Sequence, residues 1–322
     1  MIETVNLSKR YGRTTAVDQL NLRIEPGQVV VFLGPNGAGK STTMNMMTGY
    51  LSASEGEILI DGIKMSEDPS AAKRKIGYLP EQPPLYQDMK TEEYLRFAAE
   101  LKKNPRSQRA EAVQQVMVMT RLESVQGRLI RNCSKGFRQR IGLAQALLGM
   151  PEILILDEPM VGLDPKQMNE MRQLIRSLAQ THTVFLSSHL LAEISAMSDR
   201  ILILDHGKLV ADDTPENLER QINSTAALQM QVKGSRTALE SVLKQLGLKR
   251  EGALREENGV LQFELAISAQ QDPRETLFYA LAEARLPILR MEKMQRSLED
   301  AFLQLTGAQN EQRLEDEDEG NR

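Results

Sequence analysis

The chain opens with alternating apolar and polar positions and then turns solidly apolar. Residues 20–34 (LNLRIEPGQVVVFLG) alternate, turn at Pro26-Gly27 and run into an unbroken apolar stretch. Alternation predicts a strand covered on one face, and a solid apolar run predicts a strand buried on both. Residues 1–33 are therefore predicted to be strands joined by turns. A glycine-rich turn follows, then a helix from Lys40 to about Tyr50. Residues 57–63 (EILIDGI) predict another strand with an Asp-Gly turn. From about residue 90 the period becomes helical. TEEYLRFAAELKK is expected to start with Thr91 as its cap and Glu93 in its first turn. SQRAEAVQQVMVMTRLE and SKGFRQRIGLAQALLG make a second and a third helix. The strand signal returns at 153–157 (ILILD) and 183–187 (TVFLS), with a helix between. Strands that alternate with helices predict a mainly parallel sheet covered by helices, with the block at 90–150 as a helical insertion.

The character changes near residue 220. Residues 226–305 read as strand, helix, two strands, helix, strand, helix, through ALQMQVK, RTALESVLKQLG, VLQFELAI, PRETLFYALAEA, LPILRMEK and SLEDAFLQLTG. This order predicts a small α+β domain of ferredoxin-like type. The tail from about 308 (AQNEQRLEDEDEGNR) is acidic and poor in apolar residues, so it is expected to be disordered. The expected organisation is thus a first domain over 1–220 with a helical subdomain at about 88–150, an α+β domain over 221–307, and a tail over 308–322.

Composition narrows the class. The 322 residues suggest about two domains, and 41 % hydrophobic with 26 % charged residues is ordinary for a globular protein. A net charge of -4, from 40 Lys+Arg against 44 Asp+Glu, argues against a broadly basic nucleic-acid binder, and no nucleic-acid partner is expected. With 4 % aromatics and no Trp there is little to stack single strands. One cysteine forms no internal disulfide, which fits a reducing compartment. No apolar run approaches the roughly 18–20 residues needed to cross a bilayer. MIETVNLSKRYG carries no apolar signal core. The expectation is a soluble cytoplasmic chain; any membrane spans would come from another chain.

Two motifs carry the chemistry. Residues 34–41 (GPNGAGKS) fit G-x-x-x-x-G-K-[ST] between a predicted strand and a predicted helix, the context of a phosphate loop. Gly34, Gly37 and Gly39, with Asn36 among them, let backbone N–H groups face phosphate oxygens, and the helix N-terminus adds partial positive charge. Lys40 reaches the β- and γ-phosphates, Ser41 ligates Mg²⁺, and Thr42 offers a hydroxyl near the α-phosphate. Downstream, the apolar strand at 153–156 ends in Asp157 and Glu158. Asp157 is placed to hold Mg²⁺ through water and Glu158 to act as general base on the attacking water.

Taken together, residues 1–220 resemble the ATP-binding subunits of ATP-binding-cassette (ABC) transporters. Residues 133–140 (CSKGFRQR) look like the family signature, usually Leu-Ser-Gly-Gly-Gln; Ser134 and Gly136 match, while Cys133, Lys135 and Phe137 depart from it. The resemblance implies that Ser134, Lys135 and Gly136 face a nucleotide held by a second subunit. Phe137 stands in place of the usual glutamine, so the ribose contact that the resemblance implies for that glutamine is not expected here. The resemblance further implies that Asp164, in VGLD, belongs to a loop crossing the dimer interface. His189, in LSSHLLAE, would contact the γ-phosphate, and Tyr11, in KRYG, would stack on adenine. His182 and His206 match nothing and are read as structural. The γ-phosphate sensor loop usually ends in glutamine; here Tyr78-Leu79-Pro80-Glu81-Gln82 puts Glu81 in that place, with Gln82 one step later. A carboxylate there can still ligate Mg²⁺, so Glu81 is preferred to Gln82. Leu85, Tyr86, Met89, Tyr94 and Phe97 would line a groove for a helix of the membrane subunit, though at least half of them are expected to pack in a helical core.

The resemblance implies a phosphate-loop NTPase fold with a RecA-like α/β sheet core, a helical subdomain and a C-terminal α+β accessory domain like that of exporters of the second ABC type. It implies an ATPase that uses ATP and Mg²⁺ and dimerises, with itself or with a relative, to drive export through a separate multi-spanning permease. Its place would be peripheral, on the cytoplasmic face of the cell (inner) membrane. The rival readings are a cassette acting on ribosomes or nucleic acid, a nucleotide-sensing scaffold, and an unrelated phosphate-loop kinase.

Overall fold

Residues 1–188, 197–223, 225–268 and 272–294 are described by a computed structural model. The chain divides into two compact units, with the break between Thr214 and Pro215. The compositional shift near 220 falls inside a helix of the second unit, Pro215–Asn223.

The first unit holds two sheets. β1 (Ile2–Tyr11), β2 (Thr14–Ile24), β4 (Glu55–Ile60) and β5 (Ile63–Lys64) form a four-stranded antiparallel sheet in the order β2-β1-β4-β5. Leu20, Leu22 and Ile24 turn inward from β2 while Gln19, Asn21 and Arg23 turn out. The second sheet takes β3 (Val29–Leu33), β6 (Ile76–Leu79), β7 (Ile153–Leu156), β8 (Thr183–Ser188), β9 (Arg200–Asp205) and β10 (Lys208–Asp213), in the order β10-β9-β3-β8-β7-β6. All its neighbours run parallel except β10, which returns antiparallel to β9. Every residue of β3, β7 and β8 is buried, as strands covered on both faces require. Val30, Phe32, Ile153, Ile155, Phe185 and Leu202 of this sheet share one core with Ile2, Leu20 and Ile24 of the other and with Met44 and Met47 from α1 (Lys40–Met47).

Between β6 and β7 lie α3 (Thr91–Leu101), α4 (Arg109–Met119) and α5 (Lys135–Leu147), with α5 packed against β6. The short α2 (Pro69–Arg74) leads into β6, and α6 (Pro165–Leu178) joins β7 to β8. Three local expectations are corrected. The first helix stops at Met47, where Gly49 takes a positive φ of 67°, rather than continuing to Tyr50. Thr91 is inside its helix, not at the cap: Lys90 holds the cap, and the Glu93 carboxylate accepts its backbone N–H at 3.3 Å. Thr91 is instead fully buried, with its hydroxyl donating to Arg128 O at 3.4 Å. Strand β6 falls in a stretch to which the pattern assigned no strand. Its four residues, IGYL, are too short to show a period, and parallel pairing with β7 holds them in line.

The second unit begins with α7 (Pro215–Asn223) and continues as β11 (Thr225–Lys233), α8 (Arg236–Gln245), β12 (Arg250–Glu257), β13 (Val260–Ser268), α9 (Arg274–Glu283) and β14 (Ile288–Met294). The strands form one antiparallel sheet in the order β12-β13-β11-β14, the βαββαβ arrangement of ferredoxin-like folds. Leu228, Met230, Val232, Leu261, Phe263 and Leu265 make its inner face against Leu239 and Leu243 of α8 and Leu277 and Leu281 of α9. The closing helix expected within 297–307 and the acidic tail at 308–322 lie outside the described residues.

Candidate functional site

β3 ends at Leu33, and the glycine-rich turn after it is closed by packing as well as by backbone conformation. A Cβ on Gly34 would sit 2.4 Å from Leu204 O, and one on Gly39, whose φ is 107°, 2.4 Å from Ala16 O. Neither position tolerates a side chain. Lys40, the first residue of α1, is 6 % exposed and folds back over the turn, donating to Gly34 O at 2.6 Å and to Pro35 O at 3.2 Å. Burial lowers its proton affinity below the ordinary lysine value of 10.5, and the carboxylates of Glu158 and Asp157 pull it part of the way back.

Parallel pairing of β7 with β8 brings the acidic pair to this turn. Asp157 follows β7 and is buried; Ser41 Oγ donates to its Oδ1 at 3.5 Å. Glu158 Oε1 lies 4.0 Å from Lys40 Nζ. Glu158 takes a positive φ of 46°, a left-handed conformation that costs an ordinary residue about 1–3 kcal/mol and persists only where surroundings impose it. Ser187, fully buried in β8, supplies part of that constraint. Its hydroxyl accepts the Glu158 N–H at 2.8 Å and donates to Asp157 Oδ1 at 2.6 Å. The sequence pattern alone does not single out Ser187. Its signal is a hydroxyl near the end of a buried strand (TVFLS) predicted to share a sheet with the Asp157 strand.

These groups open on a cavity of about 340 Å³ lined by Ala16, Asn36, Gly37, Gly39, Lys40, Ser41, Thr42, Glu81, Glu158 and Val161. Glu81 is among the lining residues; Gln82 is not. The donor set fits a polyphosphate, since a lysine ammonium and a helix N-terminus converge on one space. It also fits a hard cation, with the Ser41 hydroxyl and Asp157 carboxylate adjoining. Among the described residues no group of three or more His, Cys, Asp or Glu is placed to hold an ion. A divalent cation held by these two oxygens would draw its remaining ligands from phosphate and water, as Mg²⁺ commonly does.

A second cavity, of about 370 Å³, gathers the signature segment and the segment after Glu158. Ser134, Gly136, Phe137, Arg140, Asp164 and Gln167 are among its lining residues. Ser134 caps α5, its hydroxyl accepting Phe137 N–H at 3.4 Å; Asp164 caps α6, accepting Gln167 N–H at 2.8 Å. Arg140 pairs with Glu170 and lies 5.8 Å from the Phe137 ring centroid, tying the two helices together. Lys135 rests its ammonium against the loop before α6: a Cβ on Gly162 would lie 2.2 Å from its Nζ.

Tyr11 ends β1 half exposed, with Lys9 Nζ 5.4 Å from its ring centroid, and is not among the residues lining the first cavity. His189 lies outside the described residues. His182 is buried, with Nδ1 2.7 Å from Pro151 O. Leu85 and Tyr94 are buried, whereas Tyr86 is 55 % exposed and sits 5.4 Å from the Phe97 ring.

The ABC transporter family profile matches residues 17–161. The chain is 34 % identical over 314 residues to YhcH, an uncharacterized ABC transporter ATP-binding protein of Bacillus subtilis, spanning 97 % of this chain and 98 % of that one. It is also 34 % identical to the bacitracin transport ATP-binding protein BcrA of Bacillus licheniformis, over 95 % of this chain and 97 % of that one. This chain is an ATP-binding subunit of the ABC transporter family. A solved dimer of the ATP-binding cassette MJ0796, in a post-hydrolysis state bound to ADP and Pi, matches with a TM-score of 0.61 and 27 % identity, over 67 % of this chain and 99 % of that one. The subunit is accordingly an ATPase of the cassette type that uses ATP and Mg²⁺. Subunits of this kind work as dimers with separate membrane permeases. Relatives matched from end to end carry transport names, which favours a transporter over a cassette acting on ribosomes or nucleic acid. Among the described residues no helix is long and apolar enough to cross a membrane.

Proposed function

We propose that this subunit powers export through a separate multi-spanning permease, docked peripherally on the cytoplasmic face of the cell membrane. The observation that carries the reading is that Lys40, Ser41, Glu81 and Glu158 line one cavity beside buried Asp157. The end-to-end likeness to a bacitracin transport protein supports export. In this reading Lys40 and the α1 N-terminus bind the β- and γ-phosphates, and Thr42 adds a hydroxyl near the α-phosphate. Mg²⁺, when bound, would supply positive charge against the phosphate oxygens. Ser41, Asp157 and Glu81 would hold it on the protein side, with Glu81 in the sensor role in preference to Gln82. Glu158 orients the attacking water and accepts its proton, held for that task by the Ser187 hydroxyl and its left-handed backbone. Tyr11 stacks on adenine and His189 contacts the γ-phosphate.

Ser134, Lys135, Gly136 and Asp164 serve the nucleotide of a second subunit, the same chain or a relative. The N-terminus of α5, capped by Ser134, presents partial positive charge to that anion. The second unit is an accessory domain, with dimer contact, regulation or structural support as its candidate roles.

Two experiments test the reading. Glu158→Gln keeps the side-chain shape and removes the base. It is expected to bind MgATP, turn it over very slowly and accumulate as a closed dimer by size-exclusion chromatography. Turnover near the wild-type rate removes Glu158 as base. A tagged pull-down from detergent-solubilised native membranes is expected to retain a multi-spanning chain in near-stoichiometric amount. Recovery with ribosomes, with nucleic acid or alone ends the transport reading and leaves the ATPase chemistry standing.

A further inference from the structure

Gln139 lies on α5, one turn inside the segment that begins with Ser134. It is 2 % exposed, and its Nε2 donates to the backbone carbonyl of Glu81 at 2.9 Å. Its Oε1 is buried with no hydrogen-bond partner among the described residues. A buried amide satisfied on one arm alone is a costly way to fill space, and an apolar side chain of similar length would pack there more favourably. The polar interaction that Gln139 does make is the one to Glu81.

That bond sits where the backbone needs it. β6 ends at Leu79, so the sheet ladder no longer holds the chain at Glu81. On either side, α5 grips the same segment by shape and by a bridging tyrosine. A Cβ on Gly142 would lie 2.7 Å from both Leu79 Cδ1 and Pro83 Cγ. The Tyr94 hydroxyl lies 2.5 Å from Gln145 Oε1 on α5 and 3.5 Å from Pro84 O. Residues 79–84 thus ride on α5, and Gln139 pins the one residue among them that lines the nucleotide cavity.

We infer that Gln139 is a positioning residue for ATP hydrolysis: its amide orients the Glu81 backbone so that the Glu81 carboxylate enters the nucleotide cavity, and it ties that carboxylate to the helix that Ser134 caps. The inference rests on the reading of Glu81 as the sensor residue. It assigns to α5 a second task besides presenting its N-terminus, since a displacement of α5 is passed to the 79–84 segment by packing and to the Glu81 backbone directly by the Gln139 hydrogen bond.

The test measures steady-state ATP turnover of the full chain against Mg²⁺ concentration for Gln139→Met, Glu81→Ala and the double variant, with thermal unfolding of each. Gln139→Met is expected to lower kcat about tenfold and raise the half-saturating Mg²⁺ concentration, with KM for ATP nearly unchanged. Glu81→Ala is expected to shift the same quantities, and the double variant to be no worse than Glu81→Ala, since both act through one group. Gln139→Glu preserves the shape but places an acceptor against the carbonyl, so it repeats the Gln139→Met result and serves if that variant does not fold. Wild-type kinetics in both Gln139 variants, or losses that add in the double variant, overturn the positioning role and leave Glu81 in place. Wild-type Mg²⁺ dependence in Glu81→Ala overturns the sensor reading, and the positioning role falls with it.

Discussion

Ser187→Ala removes a single oxygen from a fully buried position between the two acidic residues of the site. That oxygen accepts the Glu158 N–H at 2.8 Å and donates to Asp157 Oδ1 at 2.6 Å. A hydrogen bond to a charged group contributes roughly 1.5–3 kcal/mol, and depriving a buried backbone donor of its acceptor costs roughly 1–3 kcal/mol. The two losses share one atom and do not simply add, so the expected total is about 2–4 kcal/mol. The loss also has a place to act. Glu158 is held in a left-handed conformation that an ordinary residue leaves when it can. Relaxation there swings the carboxylate away from its position 4.0 Å from Lys40 Nζ. If about 2 kcal/mol of the loss falls on the transition state, turnover drops about 30-fold. The assay pairs thermal unfolding with single-turnover ATP hydrolysis at saturating MgATP. A variant with wild-type Tm and turnover within about twofold of wild type would falsify the claim that Ser187 sets the acidic pair.

Two further outcomes follow from the same geometry. Gly142→Ala drives a methyl to 2.7 Å from Leu79 and Pro83, an overpacking cost of about 1–3 kcal/mol set against about 1 kcal/mol gained in helix propensity. The net expectation is a lower Tm and a raised Mg²⁺ requirement as the Glu81 segment is pushed outward; a variant more stable than wild type refutes the close contact. For Lys40, burial lowers proton affinity, so its ammonium is lost at a lower pH than in an ordinary lysine. Nucleotide affinity is therefore expected to fall as pH rises, beginning before the ordinary lysine value of 10.5 is reached. Equilibrium titration with a fluorescent ATP analogue measures it, and affinity that stays flat up to that value counts against the shift.

Much of the molecule is legible from the chain alone, because the relevant signals are local. The phosphate loop is eight consecutive residues of fixed spacing, although the contacts that exclude side chains at Gly34 and Gly39 come from Leu204 and Ala16, distant in sequence. The unbroken apolar runs at 29–33 and 153–156 announce strands covered on both faces. Most of the βαββαβ order of the second unit is readable from alternating periods, the exception being β12, whose REGALREE has only Ala253 and Leu254 as apolar side chains. Strand β6 is not readable either, since four residues including a glycine show no period. The cap at Lys90 escapes as well: a threonine is the commoner cap, and only burial of Thr91 against Arg128 O excludes it there.

The chain by itself thus determined which chemistry is present: a lysine and hydroxyls on a phosphate loop, two carboxylates at a strand end, and a capped helix that begins with a serine. Each is set by residue type and short spacing. The tertiary structure decided which groups meet. Parallel pairing of β7 with β8 puts Ser187 between Asp157 and Glu158, residues about thirty positions away, and the packing of α5 on β6 brings Gln139 to Glu81. It also distinguishes Glu81, which lines the cavity, from Gln82, which does not. Periodicity carries no information about such meetings, because they depend on strand order and register, and those are selected by the burial of whole faces rather than by any neighbouring residue.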